Sequence, residues 1–194
     1  MSDETTSSQN RISAIEARLR LIEDRRAIHD VIVRYCRGVD RSDPDLVLSA
    51  FHDDAIDNHF GVVLPFREAI GTLKAARSGG TSKTTSMHNL CNVLIEVDGD
   101  VARCESYVIV IVRIPQDRGA IDWMHAGRYV DRFERRHGEW RIAYRTVVYD
   151  LERFDEVAPA PEGLSQARYL DRAVRGKRGL SDFSYEILGP SGAA

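Results

Sequence analysis

Apolar residues recur at helical spacing through the first part of the chain. Ile15, Leu19, Ile22, Ile28, Ile32, Val33, Cys36 and Val39 approximate one stripe, and Arg and Glu fill the opposite face. A helix is expected over 12–39, closed by Gly38 and Asp40. Ser42 or Asp43 suits an N-cap and Pro44 a first turn, so a short helix should follow over 45–51. A strand over 55–63 and a helix from Pro65 to the Ser78-Gly79-Gly80 stop come next. Long strands are then expected over 84–97, 101–114, 121–136 and 140–150, with turns at Asp98-Gly99-Asp100 and His137-Gly138-Glu139. Helices first and a strand meander afterwards predict an α+β domain, with helices on the concave face of a bent antiparallel sheet and a cavity between them. The polar residues 1–11 are expected to be disordered and the domain to span 12–152. Residues 153–194 read as an extension, with an Ala158-Pro159-Ala160-Pro161 linker and a helix over 162–174, serving as pocket lid or subunit contact.

Composition narrows the function classes. A chain of 194 residues buries a core without staples. With 43% hydrophobic and 29% charged residues and a formal net charge of −3, it has no electrostatic footprint for nucleic acid. The short basic clusters at Arg135-Arg136 and from Arg175 to Arg178 read as solvated faces. Cys36, Cys91 and Cys104 show neither a disulfide framework nor zinc spacing, and all three fall in apolar-patterned segments as small hydrophobes. No signal-peptide-like stretch or membrane span is visible, so a cytoplasmic location is expected.

Several phrases carry a resemblance when taken in order. They are Tyr35-Cys36-Arg37-Gly38-Val39-Asp40, Phe51-His52-Asp53-Asp54-Ala55, Met87-His88-Asn89, Gly127-Arg128-Tyr129-Val130-Asp131, and Glu134 through Arg141. Over about residues 20–152 the chain resembles the SnoaL-like branch of the NTF2-like superfamily, which implies a cone-shaped, cystatin-like fold enclosing a pocket. In its polar residues it is most similar to bile acid 7α-dehydratases and hexachlorocyclohexane dehydrochlorinase, and more distantly to scytalone dehydratase. That likeness implies His88 as base, Asp40 as its orienter, Tyr35 as acid and Arg145 as a further catalytic residue, with no cofactor and no metal. It also places Asp57, His59, Tyr107, His125 and Tyr129 on substrate-binding, pocket-facing positions, a polarity that argues against a halocarbon substrate. Lignin-dimer formaldehyde lyases of the same superfamily are similar in outline, and a pocket rich in Tyr, His and Arg suits phenolic substrates.

The chemistry of these residue types agrees with the implied roles. An imidazole titrates near neutrality and takes a proton without a metal, provided a carboxylate fixes its tautomer. Asp40 lies at a helix C-terminus, where the dipole disfavours a negative charge, so it needs a partner such as His88 or an arginine. Asp57 and His59 share a strand face, but a metal site needs three or four converging ligands. The expected activity is a cofactor-independent lyase, performing dehydration or a related elimination or deformylation on a hydrophobic, oxygenated ring compound that is steroid-like or aromatic. An isomerase using the same residues, and a non-catalytic binding protein or dioxygenase β-subunit-like chain, are the alternatives. A homodimer or homotrimer is expected. Tyr35 as a packing residue, Asp40 as a helix terminator and Arg145 as a structural ion-pair residue are the bland alternatives, and Trp123 and Trp140 read as core.

Overall fold

The computed structural model describes residues 2–71, 84–158 and 173–189, with side chains from residue 7 onward. Helix α1 (Ser2–Arg41) is 40 residues long, so the expected disordered N-terminus is corrected. No Gly or Pro interrupts residues 2–37, and the helix propagates through them. The apolar stripe splits in two. Ile28, Val31, Ile32, Tyr35 and Cys36 are buried against the sheet, whereas Ile12, Ile15, Leu19 and Ile22 are 48–63% exposed, as is Val33 at 44%. At 1.5 Å per residue α1 is about 60 Å long, and only its C-terminal half lies on the domain.

The end of α1 is a Schellman motif. The Asp43 N–H donates to the Gly38 carbonyl at 2.8 Å and the Ser42 N–H to that of Val39 at 3.1 Å. Ser42 takes the left-handed position (φ 55°) that glycine usually fills. Helix α2 (Pro44–Leu48) starts at once, capped by Asp43, whose Oδ1 accepts from the Leu46 N–H at 3.0 Å. The two helices touch at Gly38, where a Cβ would sit 2.7 Å from Val47 Cγ2 and 2.9 Å from its backbone nitrogen. The expected strand over 55–63 is instead a hairpin of β1 (Phe51–His59) and β2 (Val62–Pro65). Its two-residue turn, Phe60-Gly61, has positive φ at both positions. Residues 66–71 are helical, and the predicted stop at Ser78-Gly79-Gly80 lies outside the described residues.

The meander consists of β3 (Thr85–Asp98), β4 (Val101–Pro115), β5 (Ala120–Arg136) and β6 (Glu139–Val157), with β6 running well beyond its predicted end at Asp150. The sheet order is β2-β1-β6-β5-β4-β3. All neighbours are antiparallel except β1 and β6, which run parallel. The sheet is therefore mixed, a correction to the all-antiparallel expectation. The helical corner sets the direction of β1 before the meander begins, and β6 reaches it only after three reversals from the far edge. The class remains the expected α+β, with α1 laid across one face.

The registers align inner-face side chains in rows. His88 faces Val110, Val110 faces His125, and His125 faces Glu152. Further along, Gly127 faces Tyr149, Tyr129 faces Val147, and Asp131 faces Arg145, which faces Asp57. The register shifts between Ala126 and Gly127. There a Cβ on Gly127 would come within 2.0 Å of the Val148 carbonyl oxygen, so only glycine fits this bulge. The core between sheet and helix includes Ile28, Ile32, Phe51, Phe133, Trp140 and Ile142, each worth roughly 1.5–3 kcal/mol when fully buried.

The C-terminal extension ends in a clasp on the α1–α2 corner, closing with the helix Ser184–Leu188. Tyr185 OH donates to Asp43 Oδ2 at 2.7 Å, and Asp182 Oδ2 accepts from Arg41 NH1 at 3.0 Å and from the Lys177 N–H at 2.7 Å. Arg178 bridges the Ser42 hydroxyl and the Thr84 carbonyl (2.5 and 2.6 Å). For residues 173–189, then, the described contacts are with the chain's own corner. The helix expected over 162–174 falls almost wholly outside the described residues. Among the described residues, no helix is long and apolar enough to cross a membrane.

Candidate active site on the inner face of the sheet

The helix tip and the edge strand meet at Asp40 and His88. Asp40 occupies the last turn of α1, just inside the Schellman cap, and is 9% exposed. His88 projects inward from β3, while Met87 and Asn89 on either side are exposed. Because β3 is an edge strand, alternate backbone N–H groups have no ladder partner. Asp40 supplies one: its Oδ2 accepts from the His88 N–H at 2.9 Å, while its Oδ1 lies 2.6 Å from His88 Nδ1. An ionised carboxylate only accepts, so Nδ1 carries the proton and Nε2 is left as the acceptor facing away. The two N–H groups also compensate a negative charge placed at the unfavourable end of the helix dipole. The clasp fixes both partners, since Arg178 joins Ser42, just after Asp40, to Thr84, just before β3.

Deeper in the fold, Arg145 is fully buried and donates through Nε and NH2 to the two oxygens of Asp131, both at 2.7 Å. Its guanidinium lies 4.3 Å from the ring centroid of Tyr35 and 4.1 Å from that of Tyr129. Burial pushes the Tyr35 phenol up to about 12, against the pull of Arg145, so it remains a proton donor. Burial likewise raises Asp131, opposed by the Arg145 charge. Desolvation works against the Arg145 charge, and Asp131 more than restores it.

A family model for the SnoaL-like domain matches residues 20–146, well over half of the chain. The chain belongs to the SnoaL-like domain family. Solved structures of similar fold include a hexachlorocyclohexane dehydrochlorinase of LinA type 3 from Novosphingobium barchaimii, with 20% identity and a TM-score of 0.62 over 73% of this chain and 99% of that one. A candidate scytalone dehydratase from Novosphingobium aromaticivorans has 23% identity and a TM-score of 0.60 over 73% of this chain and 95% of that one. A single-residue variant of Rv3472, a protein of unknown function from Mycobacterium tuberculosis, has 28% identity and a TM-score of 0.53 over 66% of this chain and 76% of that one. No curated protein matches the sequence.

The SnoaL-like inner face gathers most, but not all, of the residues singled out from the sequence. Asp40 and His88 form one cluster, and Tyr35, Arg145 and Tyr129 another. Asp57 is 5% exposed, with Oδ2 3.4 Å from His59 Nδ1. His125 lies on the His88 row; burial, then the neighbouring imidazoles His88 and His59, push it below its ordinary value, so it is neutral at pH 7. Tyr107 is corrected: it is 45% exposed on the outer face with Arg128, because β4 alternates and Val108 and Val110 face inward. Cys91 is also corrected, being exposed, whereas burial pushes the Cys36 and Cys104 thiols up to about 12.

Three inner-face residues escaped the sequence reading. Trp123 lies beside His125 rather than in the core, with ring centroids 4.7 Å apart, and Tyr149 lies 5.4 Å from His125. Asp131 is the carboxylate that holds Arg145. Trp140 is core as expected, its Nε1 donating to Asp24 at 2.8 Å. An open groove of about 380 Å³ on the outer face, lined by Leu94, Arg103, Val130 and Tyr144, contains no histidine and no acid–base pair like Asp40–His88. Among the described residues, no group of three or more His, Cys, Asp or Glu side chains is disposed around a metal site.

Proposed function

We propose that this protein is a cofactor-independent lyase that eliminates a group from a hydrophobic, oxygenated ring compound. The observation that carries the reading is the double engagement of His88 by Asp40, at its ring nitrogen and at its backbone N–H. His88 Nε2 takes a proton from a carbon next to an activating group, and the electron pair of that C–H bond expels the β-substituent. Tyr35, held protonated by burial, gives its proton to the departing oxygen, so a hydroxyl leaves as water. Arg145 acts through Tyr35, since two of its donors are committed to Asp131 and its plane lies over the phenol. General acid–base assistance of this kind is worth about 10²–10⁴-fold. The test is steady-state turnover of ring substrates bearing a β-hydroxyl by wild type and His88→Ala; near-normal turnover in the variant rejects the base.

The same reading includes a homodimer or homotrimer. Ile12, Ile15, Leu19 and Ile22 follow the 3-4-3 spacing of a coiled-coil seam and stand exposed on the projecting half of α1. A second copy of the helix would cover them. In sedimentation, Ile15→Glu/Leu19→Glu should lower the mass to that of a monomer; an unchanged mass excludes this seam as the contact.

A further inference from the structure

We infer that the inner face between His88 and Asp57 binds an aromatic compound with at least two oxygen functions, one of them a free hydroxyl. This deepens the lyase reading and rests on it only for the location of the site. Of the inner-face side chains that carry a buried polar atom with no hydrogen-bond partner among the described residues, four form the stretch between His88 and Asp57: Trp123 Nε1, His125 Nδ1, Tyr149 OH and Asp57 Oδ1. Ser106 Oγ and Arg145 NH1 lie deeper, beside Tyr129 and Asp131. A folded protein seldom leaves one such atom unmet, and four along one face mark a place prepared for something else to meet them. The rings of Trp123, His125 and Tyr149 follow one another, and His59, paired with Asp57, lies 6.2 Å from Tyr149, so the four belong to one continuous surface.

The types of atom define the ligand. The indole N–H of Trp123 only donates, so the ligand presents an acceptor there. A carboxylate oxygen such as Asp57 Oδ1 accepts, so at that end the ligand donates; a hydroxyl does so, whereas an ether, a carbonyl or a halogen does not. Tyr149 OH and neutral His125 Nδ1 stand between these ends and accommodate either polarity. The surroundings are aromatic, with Phe60 stacked on Tyr149 at 5.0 Å and Trp123 on Phe154 at 5.8 Å, and a flat aromatic body suits such a surface. A halogenated hydrocarbon would desolvate all four polar atoms and satisfy neither Trp123 nor Asp57.

Calorimetric binding to the full chain tests this, in wild type and in His88→Ala, so that the outcome does not depend on turnover. The probes are 2,7-dihydroxynaphthalene, 2,7-dimethoxynaphthalene, naphthalene and γ-hexachlorocyclohexane. The dihydroxy compound should bind at least tenfold more tightly than the dimethoxy compound, which keeps both acceptors but has no donor. Naphthalene and the halocarbon should be weaker still. Asp57→Asn should narrow the dihydroxy-to-dimethoxy ratio, and Trp123→Phe the dimethoxy-to-naphthalene ratio, with melting temperatures confirming that both variants fold. Equal affinities across the panel, or tightest binding of the halocarbon, overturn the inference. A preserved preference in His88→Ala supports it even if the catalytic reading fails.

Discussion

Replacing Asp40 by Asn changes one atom's chemistry and tests whether the carboxylate sets the His88 tautomer. In the native protein both Asp40 oxygens accept, Oδ1 facing Nδ1 at 2.6 Å and Oδ2 facing the backbone N–H at 2.9 Å. An amide has one oxygen and one NH2 for the same two positions. The backbone N–H can only donate, so the amide oxygen must face it, or two donors collide at a cost of about 1–3 kcal/mol. The NH2 then points at Nδ1, which becomes an acceptor, and the ring proton moves to Nε2. The imidazole now presents N–H where the substrate needs a base. Turnover should therefore fall about 10²–10⁴-fold, the full value of acid–base assistance. Both hydrogen bonds survive, so stability should change by less than about 1 kcal/mol. Long-range ¹H–¹⁵N NMR reads the tautomer directly and needs no substrate: Nδ1–H in wild type, Nε2–H in the variant. Retention of the Nδ1–H tautomer, or turnover within tenfold of wild type, refutes the reasoning.

Three further outcomes are expected. Asp131→Ala strands the fully buried Arg145 charge, which costs about 3–5 kcal/mol and lowers the melting temperature by roughly 6–20 °C, whereas the double change Asp131→Leu/Arg145→Met should recover most of that loss in thermal denaturation. His125 is depressed by burial and by two neighbouring imidazoles, so the unfolded chain binds its proton more readily. Stability should be undiminished above the ordinary histidine value of about 6.5 and decline as pH falls below it, and His125→Asn should flatten that decline in urea titrations. Asp182 is held well below the usual carboxylate range by the Ser184 hydroxyl, the Lys177 and Ser184 N–H groups and Arg41. Asp182→Ala should therefore release residues 173–189 to limited proteolysis and slow turnover through a loosened Asp40, an effect absent if the clasp is only decorative.

The elements legible in the sequence were those announced by strong local signals. The turns at Gly99 and Gly138, the start of α2 at Pro44 and three long strands fall close to their predicted places because turn geometry and period are local properties. Asp40 and His88 were recognisable as a pair by resemblance, 48 positions apart in sequence, and the fold brings them to 2.6 Å. The Phe60-Gly61 hairpin was missed because Phe is not a residue that advertises positive φ.

Which face of a strand looks inward was not a local property. On β4 large apolar residues occupy both faces, Tyr107, Ile109 and Ile111 outside and Val108, Val110 and Val112 inside, so alternation alone did not place Tyr107. The bulge at Gly127 shifts the β5–β6 register, and with it the side on which Tyr149 emerges beside His125. The parallel pairing of β1 with β6, the Arg145–Asp131 pair and the clasp on the α1–α2 corner likewise depend on contacts between distant segments. The amino-acid order thus determined periodicity, turns and the stock of acids and bases. Only tertiary packing decided which polar atoms were enclosed together, because enclosure depends on how strands far apart in sequence register against one another.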